Sequence, residues 1–193
     1  FVDVSEKNWA RKYIETLATA RVLRGFPDGQ FKPNDLIKRG EFSALLVRTK
    51  KLPVDEANRA IGDSLFVDIK NHWASPYIKS AFQSGVMDGY PQKKFMPNKS
   101  TIRQEAVISL VKMEDLTLPI EAPKSRFKDI TPKTDLNRYV EASVENGLII
   151  GYPDGTFKPL MYITRAEIAK AFYTSNLGHV YVNDLYDWAS YQY

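Results

Sequence analysis

GFPDGQFKP at residues 25–33 and GYPDGTFKP at residues 151–159 are one nine-residue phrase written twice, 126 positions apart. Proline-aspartate-glycine alone is ordinary turn punctuation. A phrase whose aromatic, turn, basic and proline positions all match marks an internal repeat. A poorer copy, GYPQKKFMP, stands between them at residues 89–97. The glycines at 25, 89 and 151 are spaced by 64 and 62 residues, and in each copy a glutamate follows its glycine by 16 positions. Those glutamates close the segments IKRGE (37–41), TIRQE (101–105) and ITRAE (163–167). Upstream, Trp9 and Trp73 each stand 16 residues before their glycine, behind the openings FVDV (1–4) and FVDI (66–69). The third opening, FKDI (127–130), is followed by Asp135 where the tryptophan would fall. Three tandem units therefore fill nearly the whole chain: 1–62 and 63–124, each with its connector, and 125–178, followed by an extension over 179–193.

Each unit reads as helix, loop, helix. Trp9, Tyr13, Ile14 and Leu17 recur at helical spacing, as do Trp73, Tyr77, Ile78 and Ala81, so an amphipathic helix comes first. Burial is the default for a tryptophan on such a stripe, and a ring lining a groove is the alternative. The glycine of the phrase is placed to close that helix in a left-handed conformation, and Pro-Asp-Gly supplies the turn that follows. A second helix starts near the arginine. In the third copy Thr164 and Glu167 form a capping box, each accepting a backbone hydrogen bond from the other. Lys38 has no acceptor to cap with, and in the second copy Thr101 and Gln104 predict a box one residue earlier. Proline breaks both connectors, and the stretch PVDEANRA (53–60) predicts a short helix of its own. A unit of this size struggles to bury its apolar stripe alone, so the three pack around a shared core: an all-α, pseudo-threefold, three-pronged bundle with grooves between neighbours.

Composition narrows the function. The 193 residues are 44% hydrophobic, 26% charged and 12% aromatic, which fits a folded, water-soluble body. No apolar run approaches the ~20 residues that span a bilayer, so direct membrane insertion is not expected. The net charge of +4 is a mild excess, short of the dense basic face of a nucleic-acid binder. Cysteine is absent, which removes disulfides, thiolate metal sites and cysteine nucleophiles. The two histidines, His72 and His179, lack partners at metal-ligand spacing, and Asp28 and Asp154 read as turn formers instead of calcium ligands. No cofactor or metal is expected. An enzyme acting on glycans needs a placed carboxylate pair, and the repeated acids are accounted for by caps and turns.

The combined, thrice-repeated pattern resembles a tandem of three S-layer homology domains, the modules that anchor bacterial surface-layer proteins and exoenzymes to cell walls. The resemblance covers roughly residues 1–175 and implies an extracytoplasmic location, at the bacterial cell surface, cell wall or surface layer, with the periplasmic face as the alternative. It also implies that grooves between prongs bind a secondary cell-wall polysaccharide or another peptidoglycan-linked polymer, often ending in a pyruvate ketal. Other regions of surface-layer proteins are further partners it suggests. Carried over by position, the ligand-facing residues are Arg39, Arg103 and Arg165, with Gly25, Gly89 and Gly151, and Trp9 and Trp73. Glu41, Glu105, Glu167 and Thr164 are expected to cap helices and orient the arginines.

The residue chemistry agrees. Arginine's planar fork grips a carboxylate with two parallel hydrogen bonds, and a helix start adds unpaired amides and a favourable dipole. Aromatic faces suit the CH faces of sugars. For the arginines the alternative is an ion pair with a nearby glutamate. Read unit by unit, the stations of Arg165 with GYPDG and Arg39 with GFPDG are the most complete, and the groove around Arg103 is expected to be weaker. The degenerate copies leave room for a module that keeps the fold but serves protein–protein assembly without binding glycan.

Overall fold

The computed structural model describes residues 1–55, 65–121 and 124–190, with side chains to 187. The expected helix over 53–60 lies mostly outside the described residues. Seven helices follow in order among the described residues: α1 (Arg11–Thr19), α2 (Arg39–Thr49), α3 (Ser75–Gln83), α4 (Arg103–Met113), α5 (Asp135–Glu145), α6 (Arg165–Thr174) and α7 (Asn176–Ser190). Among the described residues there is no strand, only isolated bridges such as Leu36 with Thr164 and Ile102 with Tyr162. The all-α reading holds.

The first helices close as amphipathic helices do, but not on the phrase glycines. Each ends in a paired carbonyl-capping motif: Val22 N–H reaches the Leu17 carbonyl (2.9 Å), Val86 that of Ala81 (3.0 Å) and Leu148 that of Ser143 (3.0 Å). The residue in left-handed conformation there is Arg21, Gly85 or Gly147. Gly25, Gly89 and Gly151 are glycine for a steric reason instead. A Cβ at these positions would fall into the ring of Phe1, Phe66 or Phe127, the aromatic that opens each unit.

The opening aspartate has a task that the sequence reading did not assign. Asp3 accepts the N–H groups of Phe31 (2.8 Å) and Lys32 (2.6 Å). Asp68 does the same for Phe95 and Met96, and Asp129 for Phe157 and Lys158. These clamps hold Lys32, Met96 and Lys158 at φ near 58°, a backbone region that side chains disfavour. They also seat Phe31, Phe95 and Phe157, each almost wholly buried, in the core. Burying one such ring contributes about 2–3 kcal/mol. Partial burial works against ionised Asp3 and Asp129, but their backbone hydrogen bonds outweigh it and hold both below the ordinary 3.8.

The units exchange helices. α2 packs on α3 of the next unit, α4 on α5, and α6 on α1, so each prong is built from two units. At the centre the three second helices are tied by a closed triangle of backbone bonds: Thr101 N–H to the Ile37 carbonyl (2.9 Å), Ile163 to Thr101 (3.0 Å) and Ile37 to Ile163 (3.2 Å). α7 lies against α6 and α1. Glu114 at the end of α4 accepts the first N–H groups of α7, and Tyr181 donates to the Thr49 carbonyl at the end of α2. The tail thus caps the bundle end where the second helices finish.

Two local expectations are corrected. The Thr101–Gln104 box does not form: α4 starts at Arg103, Glu105 accepts the Ile102 N–H (3.3 Å), and the buried Thr101 hydroxyl has no partner. Thr101 takes the place in the backbone triangle that Ile37 and Ile163 hold in the other units, so its position is set by the triangle and not by capping. Trp9 and Trp73 precede their helices instead of joining the apolar stripe, and are 57% and 49% exposed.

Candidate functional site

The helix-start arginines are the most constrained side chains of the repeat. Arg39 donates from Nε to the Phe95 carbonyl (2.9 Å) and from Nη2 to that of Asp88 (2.7 Å), and its Nη1 pairs with Glu105 (3.1 Å). Arg103 makes the same set with Phe157, Ile150 and Glu167, and Arg165 with Phe31, Arg24 and Glu41. Each guanidinium also lies 4.6–5.0 Å from two aromatic centroids: Tyr90 and Phe95, Tyr152 and Phe157, Phe26 and Phe31. They are 2%, 3% and 8% exposed. Burial pulls the Arg165 guanidinium below its ordinary value, and Glu41 counters that pull.

Every one of these contacts crosses to the next unit. Arg39 latches onto the second glycine phrase, Arg103 onto the third and Arg165 onto the first. Pairing an arginine with the turn of its own unit is therefore incorrect. The reason is the backbone: the first amides of α2, α4 and α6 donate to carbonyls of the following unit, Arg39 to Lys99 (2.9 Å), Arg103 to Met161 (2.8 Å) and Arg165 to Asp35 (2.9 Å). Those amides, expected to be unpaired, are consumed by the exchange. The alternative reading of the arginines, an ion pair with glutamate, is present as well, with the glutamate supplied by the neighbour. Each glutamate also accepts a backbone N–H at the start of its own helix, and the predicted Thr164–Glu167 box forms in full.

Regrouping the residues by this exchange yields two grooves that each draw on all three units, and a third set of stations related to them by the repeat. The first joins Gly25 and Phe26, Arg165 with Glu41, and Trp73 around a cavity of about 520 Å³. The second joins Gly151 and Tyr152, Arg103 with Glu167, and Trp9 around about 220 Å³. By the repeat, Gly89, Arg39 and Glu105 form the corresponding third set, whose tryptophan station is Asp135. The incomplete turn and the missing tryptophan thus fall in the same set. Its own side chains engage one another: Tyr90 donates to Glu105, Lys99 reaches the Tyr90 hydroxyl (3.0 Å), and Lys112 pairs with Asp88 (2.9 Å). Arg103, expected in the weaker groove, lies in a complete one.

Sequence reasoning missed two cations that line the cavities, Arg48 in the first and Lys170 in the second. Neither station carries the same residue in all three units, so the repeated pattern did not flag them. The turn aspartates act as turn formers: Asp28 accepts the Gln30 N–H (3.0 Å) and Asp154 that of Thr156 (3.0 Å). No cluster of three or more histidines, cysteines or acids suited to a metal occurs among the described residues, and no described helix is long and apolar enough to cross a membrane.

Comparison with known proteins adds the family. The S-layer homology domain pattern matches residues 1–43, 65–107 and 126–169. The cellulosome-anchoring protein of Acetivibrio thermocellus is 38% identical over 153 residues, covering 77% of this chain and 34% of that protein. Cell surface glycoprotein 1 of the same organism is 36% identical over 157 residues, covering 75% of this chain and 7% of its own length. S-layer protein EA1 of Bacillus anthracis is 28% identical over 174 residues, covering 88% and 19%. The chain thus spans about a third or less of these relatives.

Proposed function

This chain belongs to the S-layer homology domain family, and on that premise we propose that it is a non-catalytic anchoring module of the bacterial cell surface. It binds an anionic secondary cell-wall glycan, for instance one bearing pyruvate ketals, in the grooves between its prongs. The observation that carries this reading is the make-up of the first two grooves. In each, a half-exposed tryptophan, a second aromatic ring, a bare glycine backbone and an arginine–glutamate pair converge from three units on one cavity. A flat apolar face beside fixed hydrogen-bonding groups suits a sugar ring. The repeated acids are occupied in caps, clamps and latches, which leaves binding as the chemistry these grooves support. The names of the cellulosome-anchoring and surface-layer relatives agree with attachment at the wall.

Arg39, Arg103, Arg165 and the three glycines build the grooves in this reading, and the exposed tryptophans meet the sugar. The test is co-sedimentation with purified cell walls, before and after removal of the non-peptidoglycan polymer. Wild type should sediment only with intact walls, and Trp9→Ala with Trp73→Ala should abolish it while leaving the melting temperature nearly unchanged. Wild type that fails to sediment would instead favour an assembly module, a role for which the self-engaged third set is suited.

A further inference from the structure

The first two grooves share their repeated stations but differ in where a second cation stands. Arg48 lies seven residues beyond Glu41 on α2; the same station holds Lys112 in the second unit and Thr174 in the third. Lys112 is neutralised by Asp88. Arg48 has no ion pair among the described residues: its guanidinium stacks on Tyr77, 4.7 Å from the ring centroid, and Nη2 bonds the Tyr77 hydroxyl at 3.2 Å. Tyr77 stands one helical turn beyond Trp73, and their rings are 6.4 Å apart. Arg48 is thereby held along the wall of the large cavity, with the rest of its fork available. Lys170 lies three residues beyond Glu167, where the other units have Ala44 and Ile108. It lines the small cavity and likewise has no ion pair among the described residues.

Each glutamate is paired with the arginine latch, so the helix rise converts these spacings into distance along the groove. Arg48 stands roughly 10 Å beyond its latch, and Lys170 roughly 4.5 Å. The first interval exceeds one sugar ring and the second does not. We infer that Arg48 and Lys170 are specificity-determining residues that make the two grooves select different anionic saccharides. In the large groove, Arg48 grips an acid group carried one sugar beyond the latch. In the small groove, Lys170 meets an acid group on the sugar seated at the latch itself. Arginine gives the first contact a two-pronged geometry, and lysine gives the second a point charge. The inference rests on the glycan-binding reading above.

The probe is the non-peptidoglycan polymer of purified Acetivibrio thermocellus walls, sized into single-sugar and longer fragments and used native or carboxyl-reduced. Calorimetric titration of Arg48→Gln should show longer native fragments weakened about tenfold and single-sugar fragments unaffected. Lys170→Gln should weaken single-sugar fragments. With carboxyl-reduced fragments neither substitution should cost anything further, which separates charge recognition from packing. Arg48→Lys, which keeps the charge, should recover part of the loss. Variants that bind native fragments like wild type, or that lose native and reduced fragments equally, would overturn this inference alone. A wild type that binds no fragment would overturn the glycan reading and this inference together.

Discussion

Arg39→Ala separates the latch from the ligand site, because Arg39 sits in the set without a tryptophan. Truncation removes donors from the Phe95 and Asp88 carbonyls, strips Glu105 of its arginine partner and uncovers the faces of Tyr90 and Phe95. Breaking a buried pair by deleting one member costs about 3–5 kcal/mol. The Glu105 side chain keeps 17% of its surface in water, so the lower end applies, about 3 kcal/mol. For a chain of this size each kcal/mol lowers the melting temperature by about 2–4 °C, so the expected fall is about 6–12 °C. Urea unfolding followed by far-UV circular dichroism measures the free energy directly. Adding Glu105→Gln should cost less in the Arg39→Ala background than in wild type, because the partner is already gone. Per folded molecule, binding to purified walls should be unchanged. A loss below about 1 kcal/mol, or additive effects of the two substitutions, would refute the latch.

Thr101→Val should stabilise the protein by about 1 kcal/mol, read from the same urea transitions, because it removes a buried hydroxyl without a partner and keeps its shape. The clamps of Asp3 and Asp129 make stability pH-dependent: with folded-state values below 3.8, their contribution is present above about pH 3.8 and is lost as the pH falls through the lower folded value. Asp129→Asn should therefore flatten the acid limb of a melting-temperature profile between pH 5 and 2, and an unaltered limb would count against the clamp.

Most of the fold was legible because the repeat is written in residues that act locally. Tryptophan, glycine and glutamate at fixed intervals mark the two helices, and Thr164 with Glu167 marks a helix start that the structure reproduces. The opening aspartates were equally visible in FVDV, FVDI and FKDI, but their partners lie 27–29 residues away, beyond the reach of a local reading. The same limit hid the exchange. Arg39 sits 14 residues beyond the glycine of its own unit's turn, yet its partners are 49–66 residues downstream, and nothing near it in the chain says which turn it will meet. Gly25 illustrates a different failure: a glycine after a helix suggests a backbone reason, and only the ring of Phe1 shows that the reason is space.

The closed triangle of Ile37, Thr101 and Ile163 also sets a problem of chain entropy. Two latches bridge 56 and 54 residues, whereas the one from Arg165 to Phe31 bridges 134. Loop-closure cost grows only with the logarithm of length, so the long span adds roughly 0.8 kcal/mol over a short one. That is small beside a single latch. The ring can therefore close last, by joining its two distant ends, at little more cost than either internal step.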